Sequence, residues 1–155
     1  MNLSPQTRPS LVFIVLGTLF FVAGMSMFTF AQAEGLSYFS DEASSCANCH
    51  VMQEQFNAWG YSSHARVATC NDCHSPHDNI INKYVAKGVN GFNHSVAFTL
   101  DTYDEVITIK EFNTEIVNDS CVYCHADLVH NIADDADDSL RCTSCHAGIG
   151  HPIRN

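Results

Sequence analysis

Basic residues are scarce in this chain, in which 7 Lys and Arg stand against 17 Asp and Glu for a formal net charge of -10. A nucleic-acid-binding surface needs clustered cations to meet the phosphates, so this scarcity argues against nucleic acid as a partner. Charged residues of either sign make up only 15% of the sequence, whereas about 25% is usual for a soluble domain. Part of the chain is therefore expected to lie outside water, and 155 residues allow one small domain plus an extra segment.

The segment from Leu11 to Phe30 contains no charged residue, and twelve of its 20 residues are Leu, Ile, Phe or Val. As a helix it would extend roughly 30 Å, the thickness of the hydrocarbon core of a bilayer. The apolar residues favour insertion by roughly 4 to 7 kcal/mol in total, with no central charge to oppose them. The sequence therefore predicts one transmembrane helix.

Two interpretations of this segment compete. Ala31-Gln32-Ala33 is a candidate cleavage site, yet the apolar region of a signal peptide is only about 7 to 15 residues long. The greater length favours a retained anchor, and Arg8 on its N-terminal side places that end in the cytoplasm. We therefore expect an anchor over residues 1–33 in the inner membrane and a domain over residues 34–155 that faces the periplasm.

No cysteine lies outside one motif, C-x-x-C-H, which occurs four times and uses all 8 cysteines. The copies are Cys46-Ala47-Asn48-Cys49-His50, Cys70-Asn71-Asp72-Cys73-His74, Cys121-Val122-Tyr123-Cys124-His125 and Cys142-Thr143-Ser144-Cys145-His146. In this motif two thiols bond to the vinyl groups of a haem and the histidine reaches the iron. Disulfides and zinc sites do not require that histidine each time. The sequence therefore predicts four covalent c-type haems, and thiols consumed as thioethers exclude a cysteine nucleophile.

The motifs form two pairs, because their first cysteines are separated by 24 residues, then 51, then 21. This spacing predicts two dihaem modules joined by a longer central segment. About 120 exported residues serve four haems, so the macrocycles should supply most of the core. No sheet pattern stands out. We predict a mainly α chain with little regular secondary structure, composed of one transmembrane helix and a small tetrahaem domain.

Several irons need a second axial ligand, since haem iron that only transfers electrons is six-coordinate. The exported part offers five further histidines and one thioether close to a motif: His64, His77, His94, His130, His151 and Met52. We expect roughly half of these side chains to be ligands.

Three stretches carry a resemblance to a known family. They are Cys46-Ala47-Asn48-Cys49-His50-Val51-Met52, Ser63-His64 ahead of Cys70-Asn71-Asp72-Cys73-His74-Ser75-Pro76-His77, and Asn93-His94-Ser95-Val96-Ala97-Phe98-Thr99-Leu100. With the anchor, they make the chain resemble the NapC/NirT/NrfH family of membrane-anchored quinol dehydrogenases. Within that family it is most similar to members that serve cytochrome c nitrite reductase as the small subunit. The resemblance extends from the anchor to His151.

The resemblance implies a specific set of iron ligands. Met52, rather than His50, would bind the first haem, and the other face of that haem would adjoin the quinol pocket. His74 would bind haem 2, whose second ligand would be a lysine of the catalytic partner.

For the last two haems the resemblance implies pairs of histidines. His125 would bind haem 3 with His151 opposite, and His146 would bind haem 4 with His64 opposite. Both haems would then be bis-histidine.

The resemblance also implies residues at the quinol site. A lysine near the quinol matches Lys87, with Lys83 as the second choice. Where some members carry an aspartate beside haem 1, this chain has His94, one helical turn after Asn90. His94 is therefore the candidate proton acceptor.

Between the haem pairs, apolar residues recur at spacings of three and four from Ile80 to Phe98, which predicts an amphipathic helix. Lys83 and Lys87 share one side of it. This helix could rest on the haems with solvated lysines, or lie at the membrane surface near lipid phosphates and a quinone head. We favour the second. The acidic run at residues 134–138 is predicted to be a solvated loop.

The function predicted from these features is oxidation of menaquinol, with electrons passed through four haems to a periplasmic reductase such as the nitrite reductase catalytic subunit. The alternative is an anchored electron carrier without a quinol site, which would need neither Met52 nor the Lys87 helix. A terminal reductase ranks last, because nothing resembles a dedicated substrate haem.

Overall fold

A computed structural model describes residues 7–103, 106–135 and 141–151. The chain divides into two compact units, residues 1–37 and 38–155. The domain boundary predicted from the sequence, after residue 33, is four residues before the boundary between these units. The assignment of the two domains remains a prediction.

The first unit is dominated by helix α1, Thr7–Gln32, of 26 residues. It contains the predicted helix and extends past both of its ends. Its stretch Pro9–Gln32, with a mean hydropathy of 2.4, is the one helix among the described residues that is long and apolar enough to cross a membrane. Its large side chains are exposed, with Phe13 at 74% and Phe20 at 76%. A helix that is apolar on all sides and covered by no protein has the composition of a membrane-embedded segment.

The second unit holds the four motifs on helices of very unequal length. In chain order they are α2 Ala43–Cys46, α3 Gln53–Gly60, α4 Cys70–His74, α5 Ile80–Leu100, α6 Glu111–Asp135 and α7 Cys142–Cys145, with 3-10 turns at Gly35–Phe39 and His50–Met52. The predicted mainly α class is confirmed, and the described residues contain no strand. Regular structure is sparse around three motifs, but α5 and α6 have 21 and 25 residues.

Helix α5 confirms the helix predicted for the central segment. The side chain of Asn79 caps its N-terminus by accepting a hydrogen bond from the backbone N–H of Asn82. Asp101 ends it in the left-handed conformation, with φ of 52°, and donates its N–H to the last-turn carbonyls. Its predicted apolar residues are exposed, among them Ile80 at 68%, Ile81 at 71% and Phe92 at 70%.

Helix α6 runs through the third motif and bends there, because His125 has non-helical φ and ψ of -111° and 15°. It also includes Asp134 and Asp135, so the loop predicted for residues 134–138 is wrong for its first two residues. Residues 136–138 lie outside the described part of the chain.

Packing within the second unit is centred on α6, against which α4 and α7 both lie, while α2 contacts α3 and α4. Buried apolar side chains among the described residues are few and small: Ala43, Ala86 and Ile116. The protein thus builds little core of its own, as expected of a domain whose apolar interior is completed by macrocycles.

Candidate functional site

The four motifs lie next to one another in chain order. The thiols of Cys46 and Cys70 are within hydrogen-bonding reach, which joins the first motif to the second. Cys121 is similarly close to Cys142, which joins the third to the fourth. The second and third motifs meet where α4 packs on α6. The two predicted dihaem pairs therefore form one continuous row of attachment sites.

At the first motif, Cys46 ends α2, and the turn His50–Met52 leads directly into α3. The His50 side chain is exposed, whereas Met52 is half-buried at the start of α3. The two candidate ligands of the first haem thus lie in the same turn, and the thioether is the one that packs against protein.

Two lysines of α5 share one carboxylate, and we call this group the lysine–aspartate cluster (Asp41, Lys83 and Lys87). Lys83 Nζ donates to Asp41 Oδ2 at 2.8 Å, and Lys87 Nζ donates to Asp41 Oδ1 at 3.0 Å. The side chain of Lys87 is only 10% exposed, against 28% for Lys83 and 57% for Asp41. Hydrogen bonds from Lys83 and then Lys87 lower the pKa of the Asp41 carboxyl.

The carbonyl oxygen of Ser40 connects this cluster to the second motif. It accepts from Lys87 Nζ at 3.1 Å and from Asn71 Nδ2 at 3.0 Å. Asn71 lies inside the second motif, so one backbone oxygen ties the largely covered Lys87 side chain to that haem-attachment segment. Lys87 is therefore held firmly beside the first pair of motifs.

An open apolar pocket of about 560 Å³ lies on the same helix, lined by Ile80, Ile81, Tyr84 and Val85. The Tyr84 ring is 6.0 Å from Lys87 Nζ, and its centroid is 6.1 Å from that of Phe39. A cation thus borders an apolar recess, the combination that suits a ligand with a polar head and an apolar tail.

His94 lies about two turns further along α5 from Lys87 and is hydrogen bonded to Tyr38. The phenolic oxygen is 3.1 Å from His94 Nδ1. Tyr38 also lies close to Cys49 and Cys46, and burial, followed by the charges of these thiols, raises its pKa. The thiol charges vanish once the sulfurs are thioethers, but burial still acts in the same direction. Partial burial lowers the pKa of His94, so its ring is neutral near pH 7.

Asn90, which lies one helical turn before His94, is hydrogen bonded to a different helix. Its amide exchanges two hydrogen bonds of 2.9 Å with the amide of Asn113 on α6. This pair fastens α5 to α6 and leaves Asn90 no role at the lysine–aspartate cluster.

Four of the predicted iron ligands come together as two ring contacts, which we call the histidine cluster (His64, His74, His125 and His151). The ring centroids of His74 and His151 are 6.1 Å apart, and those of His64 and His125 are 6.2 Å apart. The prediction had joined His151 to His125 and His64 to His146. The contacts join His74 of α4 to His151 and His125 of α6 to His64, two residues outside those helices, and sequence spacing does not report which rings meet.

The histidine cluster fits haem better than it fits zinc. The centres of the two rings in each pair are 6.1 and 6.2 Å apart, and their nitrogens would supply the imidazole ligands that haem iron takes. The described residues contain no group of three or more His, Cys, Asp or Glu arranged to hold a metal ion. Although the His74 ring keeps an exposed edge, burial and then the charge of His151 lower its pKa to about 4. Its lone pair is therefore available to a metal.

The other two candidate histidines have different surroundings. His77 donates from Nε2 to the carbonyl oxygen of Asp72 at 2.7 Å, and its ring stacks on Tyr123 with centroids 4.3 Å apart. It thereby links the second motif to the third through protein contacts. His130 is exposed on α6.

Sequence reasoning missed Tyr38, Ser40 and Asp41, which precede the first motif. Asp41 is 46 residues from Lys87, and Tyr38 is 56 residues from His94. No periodicity or motif connects residues so far apart, so the sequence carried no signal for either contact.

The chain is similar to a family of cytochromes and to several known proteins. Residues 5–119 match the NapC/NirT cytochrome c family, N-terminal region. The chain is 37% identical to the cytochrome c-type protein NrfH of Wolinella succinogenes, over 83% of this chain and 78% of that protein. It is 31% identical to the cytochrome c nitrite reductase subunit NrfH of Nitratidesulfovibrio vulgaris, over 77% and 72%. The fold matches a chain in the crystal structure of the cytochrome c nitrite reductase NrfHA complex bound to the HQNO inhibitor, with a TM-score of 0.64, 26% identity and coverage of 92% and 93%.

Proposed function

Because this chain belongs to the NapC/NirT family of c-type cytochromes, we propose that it is a membrane-anchored quinol dehydrogenase. In this proposal it oxidises menaquinol and passes the electrons to a periplasmic cytochrome c nitrite reductase. The observation that carries the proposal is the nearly buried Lys87 beside an apolar pocket and next to the first haem-attachment motif.

Lys87 is suited to bind a quinol oxygen. An ammonium has three N–H donors, and within the described residues Asp41 and the Ser40 carbonyl engage two of them. The third remains for the oxygen of a quinol head, while the pocket lined by Ile80 and Tyr84 receives apolar atoms. Lys83 is more exposed and contributes through Asp41.

His94 is suited to take the proton. Quinol oxidation releases two protons, and a base works best when its lone pair is free at the working pH. The lowered pKa of His94 keeps its imidazole neutral there. Lys87 and His94 thus divide the work into orienting one oxygen and accepting a proton.

When bound, the four haems supply the one-electron redox chemistry. The eight motif cysteines would hold them, and Met52, His74, His125, His146, His64 and His151 would supply the iron ligands. Because the attachment sites form one row in chain order, electrons entering at the first motif have neighbouring sites along the whole chain. The intact mass should show four additions of about 0.6 kDa on a polypeptide that retains Leu11 to Phe30.

The partner is proposed from the relatives, which are nitrite reductase subunits by name. Co-purification from detergent-solubilised membranes should recover a multihaem nitrite reductase. The predicted lysine of that partner at haem 2 would compete with His151 for the position beside His74.

The test measures reduction of the haems by a menaquinol analogue in the full-length protein. Lys87→Leu and His94→Ala should each slow it about a hundredfold while the haem content and the dithionite-reduced spectrum stay unchanged. Lys110→Leu and His130→Ala, both at exposed positions, are the matched controls and should keep the wild-type rate. HQNO should inhibit the wild type.

The same assay separates the proposal from the alternative of an electron carrier without a quinol site. If both site variants are reduced by the quinol analogue at the wild-type rate, the quinol site lies elsewhere or does not exist. Retained reduction by dithionite in all variants shows that the haems are still attached and reducible.

A further inference from the structure

The hydrogen bond between Tyr38 and His94 joins two segments that are 56 residues apart in the sequence. Tyr38 lies in the stretch before the first motif, and His94 is near the end of α5, with 3.1 Å between the phenolic oxygen and Nδ1. A neutral imidazole has one donor and one acceptor nitrogen, so a partner at Nδ1 decides the role of Nε2.

Gly91 allows this contact to form. A Cβ at position 91 would lie 3.1 Å from Cε1 and 3.4 Å from Cδ1 of the Tyr38 ring, tighter than ordinary van der Waals contact. Gly91 precedes His94 by one helical turn, so the ring of Tyr38 rests on the backbone of α5 just before the histidine. The phenol is therefore held by packing as well as by its hydrogen bond.

The Tyr38–His94 pair adjoins the first haem-attachment site. Tyr38 is close to both Cys49 and Cys46, and Cys46 is close to Lys87. The pair and the lysine–aspartate cluster thus both lie close to cysteines of the same motif. At this position the Tyr38 phenol contacts His94, the residue proposed to exchange protons with a bound quinol.

We propose that Tyr38 is a positioning residue whose phenolic oxygen accepts the Nδ1–H of His94 and thereby leaves the Nε2 lone pair to receive the quinol proton. The inference rests on the proposed quinol dehydrogenase function and deepens it. If the phenol were instead the donor to Nδ1, Nε2 would carry the hydrogen and could not accept another.

The quinol O–H bond breaks and an N–H bond forms at His94 Nε2, while one electron leaves the quinol. The haem that Cys46 and Cys49 would hold would supply the one-electron acceptor and would pass each electron on before the next arrives. His94 then releases its proton to solvent, and a second transfer of the same kind yields the quinone, two protons and two electrons in total.

The primary test is Tyr38→Phe, which keeps the ring and removes the oxygen. We expect kcat for reduction by a menaquinol analogue to fall about tenfold with KM unchanged, because the phenol aligns the base and does not bind the quinol. Tyr61→Phe, at a residue that is 94% exposed, is the control and should leave both constants unchanged.

A second variant guards against a folding defect in the first. Gly91→Ala should displace the Tyr38 ring by a few tenths of an ångström and lower kcat, while Gly88→Ala meets no atom within 4 Å and should not. Both changes raise helix propensity equally. A difference between them therefore reports the tyrosine contact and not helix stability.

A double variant separates positioning from a general structural role. In the His94→Ala background, Tyr38→Phe should cause no further loss of kcat, since there is no ring left to orient. Wild-type kcat in Tyr38→Phe, or an equal loss with and without His94, would overturn the inference. The proposed function would survive that result as long as Lys87→Leu and His94→Ala are themselves slow.

Discussion

The lysine–aspartate cluster and the histidine cluster use opposite chemistry within one small unit. The first consists of three charged side chains, one of which, Lys87, has its Nζ 6.0 Å from the centre of the Tyr84 ring, and that ring lines an open apolar pocket. The second consists of two pairs of imidazole rings about 6 Å apart, one between His74 of α4 and His151 and one between His125 of α6 and His64. Charged side chains, together with the neutral imidazole of His94, suit a quinol that gives up protons. Pairs of imidazole nitrogens suit haem iron. Substitutions in the two clusters should therefore fail in different assays.

The largest effect is expected in the histidine cluster. His64→Ala and His151→Ala should each keep all four haems attached but convert one low-spin iron to high-spin, as seen by electron paramagnetic resonance, because each removes one axial ligand. His130→Ala is the control. Unchanged spectra in both variants would contradict the ligand assignment.

The double variant His64→Ala/His146→Ala decides between the two pairings. If these histidines bind the same iron, as predicted, only one low-spin signal is lost. If His64 serves the haem of His125, as the ring contact favours, two are lost.

The next largest effect is expected at the first motif, where Met52 and His50 are the two candidate iron ligands. Met52→Ala should lower the reduction potential of one haem, since a thioether favours reduced iron more than an imidazole does. His50→Ala should change the potentials less, because its side chain is exposed. Redox titration measures both, and a larger shift in His50→Ala would reverse the assignment.

A smaller effect is expected from pH on the quinol reaction. Burial lowers the pKa of His94, so the neutral base is lost only when the pH falls below the ordinary imidazole value of about 6.5. The phenol of Tyr38, which faces this ring, stays protonated because burial raises its pKa. The kcat for quinol oxidation should therefore decline only below about pH 6.5, and this decline should be absent from His94→Ala.

The smallest effect concerns stability. Asp41→Asn should cost about 0.5 to 1 kcal/mol at pH 7, as is usual for partly exposed ion pairs. The lysines lower the folded-state pKa of Asp41, so its contribution is present above the unfolded value of about 3.9 and is lost as the pH falls through the folded value. The difference in melting temperature should thus disappear in acid. Asp127→Asn, at an exposed position, is the control.

Much of the fold was predictable because its signals are local. The apolar run of α1 and the three-and-four spacing of α5 are periodic over many residues, and both helices are present. The length of α6 was not predicted. The sequence predicts little regular secondary structure, yet the C-x-x-C segment at Cys121 lies within a 25-residue helix, and only His125 there departs from helical backbone angles.

The candidate site was predictable only in part, because several of its contacts join residues that are far apart in the sequence. The sequence pointed to Lys87 and His94 through their place on α5. Their partners Asp41 and Tyr38 come from a segment with no periodicity, brought close by packing around the first motif. The histidine pairs likewise join residues that are distant in the sequence, His64 with His125 and His74 with His151.

The closeness of the first cysteines also bears on how the protein is made. Cys46 lies beside Cys70 in this fold, and the hydrogen bond between their thiols, then the nearby charge of Lys87, lowers the pKa of Cys46 to about 7. A thiolate next to a thiol is a pair that an oxidant converts to a disulfide. A disulfide between these two residues would remove one thiol from each of the first two motifs, so attachment of both haems would need Cys46 and Cys70 to be kept reduced.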